Sequence, residues 1–160
     1  MKNLKQLLNK PLRPISNKIA ILLFVIALLG FADASYLTIE HYSGVIPPCS
    51  VTGGCETVLT SAYSTVFGIP VALGGAIFYL FILVSIFIYF ESKNTKLLKW
   101  SLLLTVIGFI ASLWFIYVQA FILHSYCVYC LGSFSTSTIL FVIATYIFKK
   151  QSDFVEPSIN

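Results

Sequence analysis

The residues best suited to chemistry are four cysteines, which fall into two close pairs. Cys127 and Cys130 form a Cys-x-x-Cys motif, and Cys49 and Cys55 bracket residues 50–54. Paired thiols can exchange electrons by attack of a thiolate on a disulfide, hold loops together as permanent disulfides, or bind zinc. Which of these applies depends on where the chain places the two pairs.

The two pairs have different local settings. If a helix begins at Cys127, residues i and i+3 share a face, so the sulfurs of Cys127 and Cys130 can meet. The helix N-terminus favours thiolate, and the small ring gains little from loop closure, so this pair suits exchange more than permanent linkage. Around Cys49 and Cys55, Pro47-Pro48 stiffens the approach and Gly53-Gly54 lets the loop fold back. A disulfide there would be accessible to the thiol of another protein.

Composition shows that water is not the main solvent of this chain. Hydrophobic residues make up 58% of the 160 residues and charged residues only 10%, whereas a soluble domain carries roughly 25% charged residues. So few charges cannot cover the surface of a soluble protein of this size. The composition therefore excludes a soluble enzyme, a disordered tail and a nucleic-acid-binding protein, and it predicts a membrane protein in contact with lipid.

The stretches with few charged residues predict four transmembrane helices, because about 20 apolar residues cross a hydrocarbon core roughly 30 Å thick. The predicted helices cover about 19–39, 70–90, 100–122 and 126–148. The second follows Pro70, a residue suited to a helix start. We expect the piece 56–67 before it, which carries no charge after Glu56, to lie in or at the membrane interface. His124-Ser-Tyr126 separates the last two helices.

The positive charges predict how these helices cross the membrane. All ten Lys and Arg fall in the basic N-terminal segment 1–18, the 91–99 loop and the tail 149–160. With four spans these segments share one side, which the positive-inside rule makes cytoplasmic. The outer loop 40–69 and the 123–126 turn then face the periplasm or the cell exterior, as expected for a protein of the cell (inner) membrane. The net charge of +4 is a topology signal.

A cleaved signal peptide is an alternative interpretation of the N-terminus, since a basic segment and an apolar run lead to Ala32-Asp33-Ala34. Against cleavage, the basic segment is long and the apolar character resumes beyond Asp33. We therefore expect 19–39 to remain as the first helix. An intact mass lacking this segment would contradict the four-helix prediction.

With this topology all four cysteines lie on the outer face, where disulfides persist. Cys130 would lie one turn nearer the hydrocarbon than Cys127, so a relay of thiol–disulfide exchange could run from the loop pair inward. The sequence carries no haem, iron–sulfur or flavin motif, and the location favours a lipid-soluble quinone as the electron acceptor. Structural disulfides remain an alternative, and the compartment disfavours a four-thiolate zinc site.

Three segments resemble the prokaryotic homologues of vitamin K epoxide reductase. Asp33-Ala-Ser-Tyr36-Leu-Thr is similar to the end of that family's first helix, and Cys127-Val-Tyr-Cys130 is similar to its active-site motif. Gly54-Cys55-Glu-Thr-Val-Leu-Thr-Ser61, leading to Val66-Phe67-Gly68-Ile69-Pro70-Val71, resembles its loop and the entrance to its second helix. The resemblance covers about residues 18–148, with the segments in the family's order.

The resemblance implies an all-α integral membrane fold, a four-transmembrane-helix bundle with a half-helix at 56–67 in the first outer loop. It implies that Cys127 and Cys130 are the redox centre, with Cys130 beside the quinone. Cys49 and Cys55 would then shuttle electrons from a thioredoxin-fold partner, and Ser61 would lie near the quinone. The quinone would be of the ubiquinone, menaquinone or vitamin K type, and no metal is implied.

Some relatives carry a fused thioredoxin-like domain, whereas this chain ends at Asn160. We therefore expect a single-domain form whose partner is a separate DsbA-like protein. The resemblance implies a membrane thiol–disulfide oxidoreductase that reoxidises such a partner and supports disulfide bond formation. The alternative is a non-enzymatic four-helix membrane scaffold with structural disulfides.

Three further side chains have open roles. Phe134 lies one turn beyond Cys130 and either lines the quinone pocket or packs as an aromatic side chain. Asp33 is costly in lipid and either lies near the redox pair or, as we favour, caps loop backbone. His124 stands just before Cys127 and could assist its thiolate, although a histidine in a turn is more often solvated.

Overall fold

The computed structural model describes residues 14–49, 53–93 and 95–155. The elements, in chain order, are α1 (Asn17–Ser43), α2 (Cys55–Leu59), a 3₁₀ turn (Ala62–Ser64), β1 (Thr65–Val66), β2 (Ile69–Pro70), α3 (Val71–Ser92), α4 (Thr95–Tyr117), a π-helical segment (Val118–Ile122) and α5 (Val128–Val155). The two short strands pair antiparallel as a hairpin. Residues 1–13 of the predicted basic segment, 50–52 of the outer loop and 156–160 of the tail lie outside the described residues.

Four helices are long and apolar enough to cross a membrane, namely Asn17–Ser43, Val71–Ser92, Thr95–Ile122 and Val128–Gln151. The predicted fold class, an all-α membrane bundle of four spans, is therefore confirmed. The helices extend beyond the apolar runs because a helix continues until a cap or turn stops it. α1, for example, ends only at Gly44, which adopts the left-handed conformation with φ 67°.

The segment that was expected to form a half-helix at 56–67 is more varied. α2 occupies its first part, and the 3₁₀ turn and β1 occupy the rest. Gly68, with φ 77°, supplies the positive φ that the hairpin turn needs. Pro70 is the N-cap residue of α3, consistent with a helix that starts directly after it.

α1 shows how the bundle packs with apolar residues on every face. Its buried residues recur at intervals of three and four positions and include Ala20, Leu23, Ala27, Gly30, Ala34 and Leu37. Its exposed residues are equally apolar and include Ile21, Leu22, Val25, Leu28 and Leu29. Small residues on the buried face allow close approach, so that Gly30 lies directly against the ring of Tyr79 on α3.

The two ends of the bundle differ in packing. At the end where α1 and α4 begin, which we call the closed end, the Tyr89 hydroxyl donates to the Ile15 carbonyl and accepts from the Ile15 N–H, both at 2.8 Å. Leu98 and Leu102 of α4 and Ile147 of α5 are buried in the same core. At the opposite end, which we call the cysteine end, the four long helices and the short elements of the outer loop together line a cavity.

Candidate functional site

The loop cysteines form a disulfide that joins the outer loop to the start of α2. Cys49 and Cys55 are bonded, with their Cα atoms 5.8 Å apart. Cys55 is fully buried, whereas Cys49 is partly exposed. One sulfur of this disulfide is therefore closer to the solvent and the other lies inside the protein.

Gly54 allows the loop disulfide to approach the start of α5. A Cβ atom at this position would lie 2.8 Å from both the backbone N and the backbone O of Tyr126. The Tyr129 hydroxyl on α5 donates to the carbonyl of Pro48 at 3.3 Å, and the Tyr129 ring packs on Tyr36 at a centroid distance of 5.5 Å. These contacts hold the loop across the N-terminus of α5.

Gln119 fixes the turn that carries Cys127. Its side-chain oxygen accepts the Cys127 N–H at 2.8 Å, and its backbone carbonyl accepts the Ser125 N–H at 3.1 Å. Gln119 is only 1% exposed and lies in the π-helical segment, where the widened turn aims the residue toward the chain that follows. This contact satisfies a backbone N–H that the start of α5 would otherwise leave unpaired.

The surroundings of Cys127 favour its thiolate. A hydrogen bond with the Cys130 thiol lowers the pKa of Cys127 from 9.0 to about 7, although burial opposes this change. The backbone N–H groups of Cys130 and Tyr129 lower the pKa further, as expected at the N-terminus of a helix. Cys127, which immediately precedes the fourth span, is therefore the sulfur best prepared to take part in thiol–disulfide exchange as a thiolate, whether as nucleophile or as leaving group.

All four cysteines meet in one cluster. Cys55, Val58 and Cys127 form its buried centre, and Cys49 and Cys130 pack against them. Cys127 and Cys130 are free thiols in this structure. The two pairs that the sequence places far apart are therefore neighbours, and the buried sulfur of the loop pair lies beside Cys127.

A cavity of about 650 Å³ opens beside Cys130. Its wall includes the apolar side chains of Ala34, Leu37, Val58, Leu59, Phe78 and Phe115. The volume is within the range of small-molecule sites, which is about 300–1,000 Å³. A few polar groups, among them Ser133 and Gln119, also border the cavity.

Ser61 and Phe134, the two residues expected near a quinone, both border this cavity together with Cys130. The Ser61 hydroxyl donates to the Val58 carbonyl at 2.7 Å, which leaves the lone pairs of its oxygen for a further partner. Phe134 lies on α5 one turn beyond Cys130. Cys49, Cys55, Cys127 and Cys130 belong to the neighbouring cluster, so the predicted site residues lie in one region of the molecule.

The favoured expectation for Asp33, that it caps loop backbone, is wrong. α1 continues past Asp33 to Ser43, so the carboxylate lies within the helix and far from its end. Asp33 Oδ2 accepts a hydrogen bond of 2.7 Å from Ser133 Oγ on α5. Its charge also interacts with Cys127 and Cys130. Asp33 therefore lies near the two thiols, which was the other alternative.

His124 is exposed in the turn before α5 and adopts a positive φ of 47°.

Sequence reasoning missed Gln119 and Tyr79. Gln119 is the single amide of the predicted span 100–122, a signal that could have identified it. Tyr79 is buried and donates to the Ser133 carbonyl at 3.1 Å, but nothing in the sequence separates it from the other tyrosines.

Within residues 14–49, 53–93 and 95–155, no group of three or more His, Cys, Asp or Glu side chains is placed to hold a metal ion. The disulfide between Cys49 and Cys55 also occupies two of the thiolates that a four-cysteine zinc site would need.

One of two comparisons with known proteins found a match. The model of the Vitamin K epoxide reductase family matches residues 21–145, which include all four cysteines and the cavity. A search of curated proteins found no match.

Proposed function

Because the chain belongs to the vitamin K epoxide reductase family, it is a multi-pass membrane oxidoreductase, and we propose that it transfers electrons from the thiols of a partner to a quinone. The observation that carries this proposal is the arrangement of the sulfurs. All four lie in one cluster, and Cys130 also borders an apolar cavity.

The exposure of the sulfurs supports the following order of exchange. A partner thiolate attacks the partly exposed Cys49, forms a mixed disulfide and releases Cys55 as a thiolate. The second partner thiol then breaks the mixed disulfide, so the partner leaves oxidised and the loop pair is reduced. Cys55, buried beside Cys127, attacks the Cys127–Cys130 disulfide at Cys127 and releases Cys130. Attack of Cys49 on Cys55 restores the loop disulfide and leaves Cys127 and Cys130 reduced.

A bonded loop pair beside free thiols at Cys127 and Cys130 supports a sequence that ends in this way. The reduced pair passes two electrons to a quinone in the cavity and becomes a disulfide. An apolar wall suits a quinone ring, and Ser61 offers a polar contact to a ring oxygen. Ubiquinone, menaquinone and vitamin K type quinones share this ring chemistry.

The charges support an orientation with the cysteine end on the outer side of the cell membrane. Lys18, Lys93 and Lys149 lie near the closed end, opposite the cysteines. The termini are then cytoplasmic, and the loop disulfide meets partners in the periplasm or outside the cell. A DsbA-like protein with a thioredoxin fold is the partner whose paired thiols fit this reaction.

Turnover with a protein donor tests the proposal. Purified protein is mixed with a soluble quinone and a reduced thioredoxin-fold protein, and the quinone absorbance is followed. We expect Cys130→Ala to lower turnover at least about a thousandfold with every donor. The reason is that Cys127 and Cys130, which we call the inner pair, can then no longer be oxidised to a disulfide. Cys49→Ala should lose turnover with the protein donor but retain it with dithiothreitol, which can reduce the inner pair directly.

Two outcomes would contradict this proposal. Full turnover by Cys130→Ala would show that the relay does not pass through the inner pair. Absence of quinone consumption by folded wild-type protein would favour a scaffold with structural disulfides, and cysteine variants would then fail by misfolding.

A further inference from the structure

Asp33 and Ser133 form a polar pair beside Cys130 that the exchange of disulfides does not require. Asp33 lies within an otherwise apolar span, where an ionisable side chain is costly unless it serves a function. Its carboxylate accepts a hydrogen bond of 2.7 Å from Ser133 Oγ, and Ser133 borders the cavity. The pair therefore connects a carboxylate to the cavity through one hydroxyl.

Ser133 also lies close to the thiol that faces the cavity. Cys130 and Ser133 are separated by one helical turn on α5, at the i and i+3 spacing that places side chains side by side. Both border the cavity. Because Ser133 bonds Asp33 and lies one turn from Cys130, it stands between the carboxylate and the thiol.

The other groups around Asp33 hold this arrangement in place. Tyr79 on α3 is the titratable side chain that faces it from that helix, and Cys127 and Cys130 face it from the N-terminal end of α5. The Tyr79 hydroxyl donates to the Ser133 carbonyl at 3.1 Å and lies 2.7 Å from Thr136 Oγ1. These bonds fix the first turns of α5 against α3.

We propose that Asp33 is a positioning and proton-holding residue that moves the Cys130 proton through Ser133 during quinone reduction. This inference rests on the proposed function. The Ser133 hydroxyl donates to Asp33, so the Ser133 oxygen can take the Cys130 proton while the hydroxyl proton passes to the carboxylate.

The step balances in protons and electrons. The Cys130 sulfur, once deprotonated, and the Cys127 thiolate form the S–S bond and release two electrons to the quinone. The proton held by Asp33 returns through Ser133 to one quinone oxygen. The second oxygen takes a proton from the outer water, which had received the proton of Cys127. The products are one disulfide and one neutral hydroquinone, which can leave into lipid.

Single-turnover kinetics test this role. Protein with Cys127 and Cys130 reduced is freed of reductant and mixed with a soluble quinone at several pH values. We expect Asp33→Asn to be about a hundredfold slower than wild type at neutral pH. Asp33→Glu should be at least about tenfold faster than Asp33→Asn. The Asp33→Asn rate should keep rising with pH after the wild-type rate has levelled, because hydroxide then removes the Cys130 proton. Ser135→Ala is the matched control, because Ser135 is an exposed residue of α5 whose hydroxyl donates to the Leu131 carbonyl of its own helix.

The outcomes separate this inference from the proposed function. Wild-type protein that consumes no quinone overturns both. If wild type is active and Asp33→Asn reacts at the same rate, the role of Asp33 alone is overturned. The same follows if Asp33→Asn is slow but keeps the wild-type pH profile and Asp33→Glu recovers none of the lost rate. If Asp33→Asn does not fold, Ser133→Ala decides, because the relay predicts a loss of about tenfold or more and a full rate would overturn it.

Discussion

The closed end and the cysteine end of the bundle are built from the same kind of apolar helix but hold together differently. At the closed end, Tyr89 is buried at 1% exposure and joins α3 to Ile15 by two hydrogen bonds. At the cysteine end, the chain forms short elements, a π-helical segment and a turn around a cavity of about 650 Å³. Packing fills one end, whereas the other keeps a space between its helices.

This difference indicates that the closed end mainly stabilises the fold, whereas the cysteine end carries the electron transfer. Side chains at the closed end have well-packed neighbours, so their loss should change the free energy of unfolding. At the cysteine end, electron transfer depends on the relative positions of a few sulfurs, so small displacements should change rates. Substitutions at each end can test that separation.

Gly54→Ala should slow electron transfer from the loop pair to the inner pair by about a hundredfold, since a displacement near 1 Å can have such an effect. The added Cβ would meet the backbone of Tyr126 and push Cys55 away from Cys127. Turnover with the protein donor measures this step, whereas turnover with dithiothreitol should change little.

Gly132→Ala is the matched control, because a Cβ atom at Gly132 has open space around it. Equal turnover of Gly54→Ala and Gly132→Ala with the protein donor would show that the contact between loop and turn does not control the transfer.

Tyr89→Phe should lower the free energy of unfolding by about 1–3 kcal/mol, because it leaves the buried N–H and carbonyl of Ile15 unpaired. Turnover per folded molecule should remain that of wild type, since Tyr89 is far from the cavity in the bundle. Unfolding by SDS in mixed micelles measures the first quantity. Tyr146→Phe, at a residue 56% exposed, serves as control. A large loss of turnover in folded Tyr89→Phe would contradict the separation of the two ends.

Thiolate formation at Cys127 should follow pH with a midpoint of about 7. In Cys130→Ala the midpoint should rise toward 9.0, because the hydrogen bond that contributes most to the lowered pKa is lost. Since the pKa of Cys127 is lower in the folded protein, its thiolate stabilises the fold above the unfolded pKa, and this contribution declines as the pH falls toward 7. Ultraviolet thiolate absorbance measures both midpoints, and an unchanged midpoint in Cys130→Ala would contradict this cause.

The four spans could be predicted because lipid excludes charged side chains. The stretches of sequence with few charged residues therefore mark the helices. The faces that the helices bury could not be predicted. On α1 the buried Leu23 and the exposed Leu22 are the same residue type, so hydropathy does not distinguish the core from the lipid side. Packing of small residues such as Gly30 decides the contact, and its partner Tyr79 comes from another helix.

The sequence predicted the residues of the site more fully than the residues that position them. Cysteine spacing and the family resemblance named the four thiols, Ser61 and Phe134, which the structure places in the cluster or on the cavity wall. The role of Gln119 was not predicted because it depends on the conformation of the turn that follows it, and the position of Asp33 was not predicted because its partner is distant in sequence. Ser133, for example, follows Asp33 by 100 residues, and only the packed bundle brings them together.

The hydrogen bonds between Ile15 and Tyr89 have a consequence for biosynthesis. The two residues are 74 positions apart, so Ile15 leaves the ribosome well before its partner. At a synthesis rate of about 5–20 residues per second, the delay is roughly 4–15 s. During that interval the first helix resides in the membrane without its closing contact. The closed end can therefore form these hydrogen bonds only after α3 has been inserted, and its core is complete only when α4 and α5 have supplied Leu98, Leu102 and Ile147.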